Sequence, residues 1–185
     1  MRVPLELKKS WRVFNHGPVT LVSAAAGGAS NVMAAAWVTP LDFDPPKLTV
    51  VLAADTYTRE LAVRAGSLVL QVPTVSMLAI VEGVGTTSGR DVDKWSRFGI
   101  EREDEPSVEA PLVRGCIAWM AARLLDEPRL ASDYDLFLVE GVAAWADDRV
   151  FHDGRLRDDV PPELRTLHHV AGGTYVVDGE VVRAR

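Results

Sequence analysis

Ser30-Asn31-Val32-Met33-Ala34-Ala35-Ala36-Trp37-Val38-Thr39-Pro40 is the stretch that decides how the remaining chain is read. As a strand it alternates, placing Asn31, Met33, Ala35, Trp37 and Thr39 on one face and Val32, Ala34, Ala36 and Val38 on the other. The second face suits a core. The first gathers an amide, a thioether, an indole and a hydroxyl around one small alanine. That mixture fits either a flat amphipathic ligand or an Ala-rich strand carrying one core tryptophan. The run of alanines leaves the backbone open to close approach by a planar ring, a service strands otherwise obtain from glycine.

Upstream, Val19 to Ala25 is apolar and β-branched, and Gly27-Gly28 allows a reversal, so this segment and Asn31 to Val38 read as a hairpin. A strand rather than a helix follows the glycines, which argues against a phosphate-binding glycine loop. Met1 to Pro18 reads as a mixed lead-in lying across the sheet. Downstream, Pro40 to Lys47 reads as a proline-rich corner, and Leu48 to Leu52 as a strand buried on both faces. Asp55-Thr56-Tyr57-Thr58-Arg59 then opens a helix with Leu61, Ala62 and Ala65 at helical spacing and Gly66 as its stop. Such a start is either a plain cap or an anion site, since first-turn N–H groups and the helix dipole favour negative charge.

Ser67 to Val72 reads as a further strand, and Met77, Ile80, Val81 and Val84 as the apolar face of a helix. Thr86-Thr87-Ser88-Gly89-Arg90-Asp91-Val92-Asp93-Lys94 follows. Hydroxyls, a glycine and two cations in one loop before a short helix carry phosphate-binding chemistry. A solvated connector, with Asp91 or Asp93 offsetting the cations, reads the same residues equally well. Glu101 to Pro111 reads as an acidic surface loop. Gly115 to Leu125 and Leu136 to Ala146 read as long strands joined by the turn-rich Asp126 to Asp135. Val176-Val177, Asp178-Gly179 and Val181-Val182 form an expected terminal hairpin, because Asp-Gly favours a type I′ turn. Many short strands with few helices point to a small β-barrel in one domain, residues 1–185.

Three segments carry a resemblance. Asn31 to Pro40 with Pro45-Pro46, Ser88-Gly89-Arg90-Asp91-Val92-Asp93-Lys94, and Leu167-His168-His169-Val170-Ala171-Gly172-Gly173-Thr174-Tyr175 resemble, in order, three signatures of the flavin reductase-like family. These are FMN-binding split β-barrels that include flavoredoxins and NAD(P)H:flavin oxidoreductases. The resemblance implies a mainly β fold of that type with a few helices, and a bound FMN. It implies Asn31, Met33, Ala35, Trp37, Val38 and Thr39 beside the flavin, and Thr56 and Thr58 at its ribityl or phosphate end. Ser88, Gly89, Arg90 and Lys94 would take the phosphate side, and His168 and Tyr175 the closing segment. Where family members often carry a histidine before the Leu-Phe of the second long strand, this chain has Tyr134-Asp135.

The implied activity is hydride transfer from NADH or NADPH to FMN, with electrons passing on to free flavin, ferric iron or a partner protein. The cofactor carries that chemistry, so no side chain is assigned as a catalytic acid or base. An electron carrier holding FMN tightly, without direct NAD(P)H turnover, is the alternative, and a flavin-free binding module a third. Family members are generally two-fold dimers, which implies a homodimer completing the flavin pocket.

Composition sets outer limits. The net charge of −6 disfavours nucleic acid as a partner. No apolar run is long enough for a membrane span, and Met1 to Lys9 holds no signal-like core, so a cytoplasmic protein is expected. Cys116 is the single cysteine and reads as a buried thiol, which excludes an intrachain disulfide. His168-His169 lacks cysteine or carboxylate companions at metal spacing, so no metal site is assigned, and His152 reads as surface.

Overall fold

The computed structural model describes residues 1–152, 155–157, 159–180, 182 and 184. Its strands are β1 (Arg2–Pro4), β2 (Thr20–Ala26), β3 (Ala29–Ala35), β4 (Val38–Phe43), β5 (Pro46–Val51), β6 (Ser67–Val72), β7 (Arg102–Glu105), β8 (Val108–Val113), β9 (Ala118–Leu124) and β10 (Leu136–Asp147). Two short strands, β11 (Phe151–His152) and β12 (Arg155–Leu156), precede the C-terminal hairpin of β13 (Leu167–Ala171) and β14 (Thr174–Val177). The helices are α1 (Tyr57–Ala65), α2 (Leu78–Thr86), α3 (Lys94–Arg97) and α4 (Pro128–Tyr134).

The main sheet runs β3-β2-β6-β9-β10-β5-β4, and β1 pairs with β10. β3 and β4 are therefore consecutive in sequence yet stand at opposite ends of the sheet. The bend at Ala36-Trp37 joins them, and the barrel is left split there. That bend overturns the single alternating strand expected through Thr39. Trp37 is 73% exposed at the corner, while Val38 restarts the pattern by turning into the barrel. The expected corner at Pro40 to Lys47 is instead the hairpin of β4 and β5, with Pro40 opposite Leu48. Proline is tolerated because β4 is an edge strand whose outer N–H groups need no partner. Leu48, Val50 and Leu52 are fully buried, but Thr49 and Val51 are only half-buried, so this strand buries one face rather than two.

Small and β-branched residues let the sheet be covered on both sides. Every residue of β2, Thr-Leu-Val-Ser-Ala-Ala-Ala, is buried. Val22, Ala24, Leu70, Met120 and Val139 fill the barrel interior. Leu21, Ala25, Val69 and Trp119 point outward, where α2 supplies Val81 and Val84, α3 supplies Trp95 and β8 supplies Leu112. The expected acidic loop is thus partly the β7–β8 hairpin. Ala110 and Leu112 face the core from β8, and the acidic side chains of β7 face outward or pair with Arg2 and Arg114. Gln71 and Ser23, both fully buried, tie this hairpin to the sheet: Gln71 Nε2 donates to Ser23 Oγ at 3.0 Å, and Ser23 Oγ donates to the Pro111 carbonyl at 2.7 Å. Cys116 is buried in the same layer, and desolvation raises its thiol pKa.

Two further expectations change. The turn-rich linker contains α4, started by Pro128 and ended by Asp135 in the left-handed conformation (φ 55°). Proline suits the first helical position because its missing N–H would have had no partner there. The C-terminal hairpin reverses at Gly172-Gly173, both at positive φ, and not at Asp178-Gly179. Asp178 instead accepts a hydrogen bond from the Thr166 amide. The return strand expected at Val181 falls outside the described residues.

Candidate functional site

Three elements meet at one end of β3. The start of α1 is left open: Thr56 is its N-cap, but its hydroxyl turns back to the Ala53 carbonyl at 2.8 Å instead of capping. The N–H groups of Tyr57, Thr58 and Arg59 consequently donate to no acceptor among the described residues. Thr58 is fully buried and accepts from Asn31 Nδ2 at 2.9 Å. Asn31 is itself 3% exposed, so strand and helix are joined by a dry amide–hydroxyl contact.

The loop after α2 closes over this contact. A Cβ on Gly89 would lie 2.3 Å from Asn31 Oδ1, so the approach requires glycine. Lys94 follows at the start of α3, a helix capped by Asp93, whose carboxylate accepts from the Trp95 amide at 3.0 Å. Only 4% of Lys94 is exposed. Its Nζ donates to the Val32 carbonyl at 3.0 Å and the Val84 carbonyl at 2.7 Å. The third ammonium proton has no acceptor among the described residues, and no carboxylate there pairs with it. Desolvation pulls its pKa down from the ordinary 10.5 to about 8. A buried, unneutralised cation beside free helix N–H groups is an arrangement that an anion would relieve.

These groups border a cavity of about 220 Å³. A second cavity of about 350 Å³ adjoins it along Ala34, Gly85 and Thr86. Gly85 brings α2 close to β3 there, where a Cβ would stand 3.4 Å from that of Ala34. Val19, Ala36 and Val81 form the apolar wall of the second cavity, with Glu82, Thr86, His169 and Tyr175 as its polar groups. Burial, together with the nearby Glu82 carboxylate, pushes the Tyr175 pKa up to about 12. The rings of His169 and Tyr175 are 5.1 Å apart.

Of the residues nominated above, Asn31, Met33, Thr56, Thr58, Ser88, Gly89 and Lys94 line the first cavity and Tyr175 lines the second. Ala35 and Val38 are packed in the barrel core, Thr39 is exposed on β4, and Trp37 stands at the corner outside both cavities. Arg90 lines neither. It pairs with Glu60 at 2.8 Å and lies over the Tyr57 ring at 5.3 Å. His168 hydrogen-bonds the Gly17 carbonyl at 3.1 Å, whereas its neighbour His169 faces the groove. Adjacent residues on a strand face opposite ways, so only one of the pair can do so. Tyr134 is 69% exposed at the end of α4. Sequence reasoning marked Ala34 within the alanine run but passed over Gly85 and Glu82. The signal for Glu82 was present, since it is the one charged residue of α2.

Comparison with known proteins bears on the family and the fold. A family model described as flavin reductase like domain matches residues 14–159. The uncharacterised protein YddH of Escherichia coli (strain K12) is 40% identical over 185 residues, 98% of this chain and 97% of that protein. The crystal structure of an FMN-binding domain of a flavin reductases-like enzyme from Shewanella baltica OS155 superposes with a TM-score of 0.98. It is 44% identical and covers 100% of this chain and 98% of that one. Flavoredoxin from Methanosarcina acetivorans gives a TM-score of 0.75 at 25% identity, over 90% of this chain and 87% of its own.

Proposed function

The chain belongs to the family of flavin reductase-like domains, and from that membership we propose that it is an FMN-binding oxidoreductase. It takes hydride from NADH or NADPH and passes electrons to free flavin, ferric iron or a partner protein. One observation carries the reading: buried Lys94, unpaired with any carboxylate among the described residues, shares a cavity with the open N-terminus of α1 and the hydroxyls of Thr58 and Ser88. This donor set suits a phosphate dianion. Gly89 keeps the loop close, and Asn31 presents an amide toward the same space. Arg90 reaches the phosphate only by leaving Glu60.

FMN, when bound, supplies the hydride-accepting ring. The chain's own residues bind, orient and shield it. Lys94 and the α1 amides would neutralise the phosphate, Asn31 would position the portion beyond it, and the single methyl of Ala34 with no side chain at Gly85 would leave room along β3. The likeness to M. acetivorans flavoredoxin supports a second reading, a tightly loaded electron carrier. Steady-state oxidation of NADH and NADPH with free FMN separates the two. Rapid turnover supports the reductase, and reduction only through another protein supports the carrier.

We also propose a homodimer, supported by the exposed Val170, Val176 and Val177 on the hairpin beside the second cavity and by exposed Trp37. Sedimentation at micromolar concentration should give twice the chain mass. A monomer that still holds FMN contradicts this. A cytoplasmic location is part of the same reading, supported by the lone buried cysteine. No helix among the described residues is long and apolar enough to cross a membrane.

A further inference from the structure

A larger cavity, about 740 Å³ in volume, opens between α1, α4 and the adjoining ends of β9 and β10. It shares no lining residue with either cavity of the groove described above. Arg59 fixes its walls: the guanidinium donates to the Leu52 carbonyl at 3.1 Å and the Ala131 carbonyl at 2.9 Å, pairs with Asp135, and lies 5.2 Å over the Phe137 ring. α1 is thereby pinned to α4, and the space between them is built without a ligand. Glu60, Val63 and Arg64 recur at i, i+3 and i+4, so they form one stripe of α1, and that stripe lines the cavity. Val63 is exposed there although its neighbours on the stripe are charged, and Leu124, Ala131 and Phe137 continue an apolar floor. At the rim Glu60 pairs with Arg90 at 2.8 Å and with Arg64 at 3.7 Å. Two guanidinium groups thus share one carboxylate, which leaves one positive charge in surplus beside the floor. Asp126 and Glu127 line the side next to α4, where they disfavour a second negative charge on any occupant.

We propose that this cavity binds a small amphipathic monocarboxylate, with its carboxylate at Arg64 and Arg90 and its apolar body along Val63, Leu124 and Phe137. A monoanion matches the single surplus charge, and an uncharged body sets nothing against Asp126 and Glu127. The guanidinium fork of Arg64 receives a carboxylate through two parallel N–H donors, which makes it the specificity-determining residue. No residue of the flavin groove takes part, so occupancy requires no bound FMN.

The test uses two probes of nearly equal shape, 4-phenylbutyrate and its neutral counterpart 4-phenylbutanamide. Each is titrated into the isotope-labelled full chain, with and without saturating FMN, and followed by backbone amide chemical shifts. The carboxylate should move the amides of Val63, Arg64 and Leu124 and bind about threefold to tenfold more tightly than the neutral probe, a modest ratio because the rim is open to solvent. Arg64→Gln keeps most of the stem and removes the charge, and should bring the two affinities within about twofold of each other. Val63→Asp places a charge on the apolar surface and should weaken both probes by at least about fivefold. Both positions are exposed, and an unchanged melting temperature verifies that the variants fold. Shifts centred elsewhere, equal affinity of wild type for the two probes, an unchanged preference in Arg64→Gln, or no binding at millimolar concentration overturns the proposal. Shifts that FMN abolishes would place the probes in the flavin groove and overturn it as well.

Discussion

Replacing Lys94 by methionine should separate FMN from riboflavin. The ammonium is buried, two of its protons go to the Val32 and Val84 carbonyls, and the third, without an acceptor among the described residues, can serve a phosphate. One charge-assisted hydrogen bond contributes about 1.5–3 kcal/mol, so Lys94→Met should weaken FMN binding about tenfold to a hundredfold. Riboflavin, lacking the phosphate, should bind nearly as before. The pH dependence gives a second readout. In the flavin-free protein Lys94 titrates near pH 8, below its ordinary 10.5, because burial penalises its charge. The unfolded chain therefore binds more protons between those values, and this group makes folding more favourable as pH rises through that window. A bound dianion reverses the penalty and lifts the pKa, so FMN binding takes up a proton in the same window. FMN affinity should fall as pH rises above about 8, by at most about tenfold per pH unit, and the slope should vanish in Lys94→Met. Fluorescence quenching titrations of both flavins from pH 7 to pH 9.5 measure all of this. Equal losses for the two flavins, or a pH-independent ratio of their affinities, would mean that Lys94 only ties β3 to α2.

Gly89→Ala should destabilise the fold by about 1–3 kcal/mol and weaken both flavins, because the new methyl group must displace Asn31 and break its bond to Thr58. Thermal unfolding of the flavin-free variant reads the first effect and flavin titration the second. Asn31→Ala should weaken FMN and riboflavin alike, since its amide acts on the portion common to both. Arg90→Ala should change FMN affinity less than Lys94→Met does, because an exposed guanidinium already paired with Glu60 has little to gain. An Arg90 effect matching that of Lys94 would show that it leaves Glu60 for the phosphate.

Much of this fold was legible because period and punctuation agree with local structure. The helix opening at Thr56 and stopping at Gly66, and the strand Ser67–Val72, follow from capping and alternation. Residues 36–37 show where that logic ends. Apolar alternation is continuous across a corner when both flanking strands are apolar, so nothing marks the bend between Ala35 and Val38. Charge concealed β7–β8 in the same way, because Glu103, Asp104 and Glu105 drew attention from the alternation of Val108, Ala110 and Leu112. α4 was concealed by its polar turn-like residues. For the site, chemistry was legible and orientation was not. Asn31, Thr58 and Lys94 were recognisable as polar residues in suitable company. Their contacts, Asn31 with Thr58 and Lys94 with the Val32 carbonyl, bridge 27 and 62 positions and arise only from packing. Arg90 and Lys94 look interchangeable in the loop, but the α3 cap at Asp93 turns Lys94 inward while Arg90 finds Glu60.

On the reading proposed above, the groove holds FMN and a nicotinamide donor reduces it there. The most direct test is the visible absorption spectrum of the purified protein titrated with FMN, then mixed anaerobically with NADH or NADPH. Saturable FMN binding is expected, with a perturbed flavin band that bleaches once the donor is added. Protein that stays colourless, with the added FMN behaving as free flavin, would contradict it.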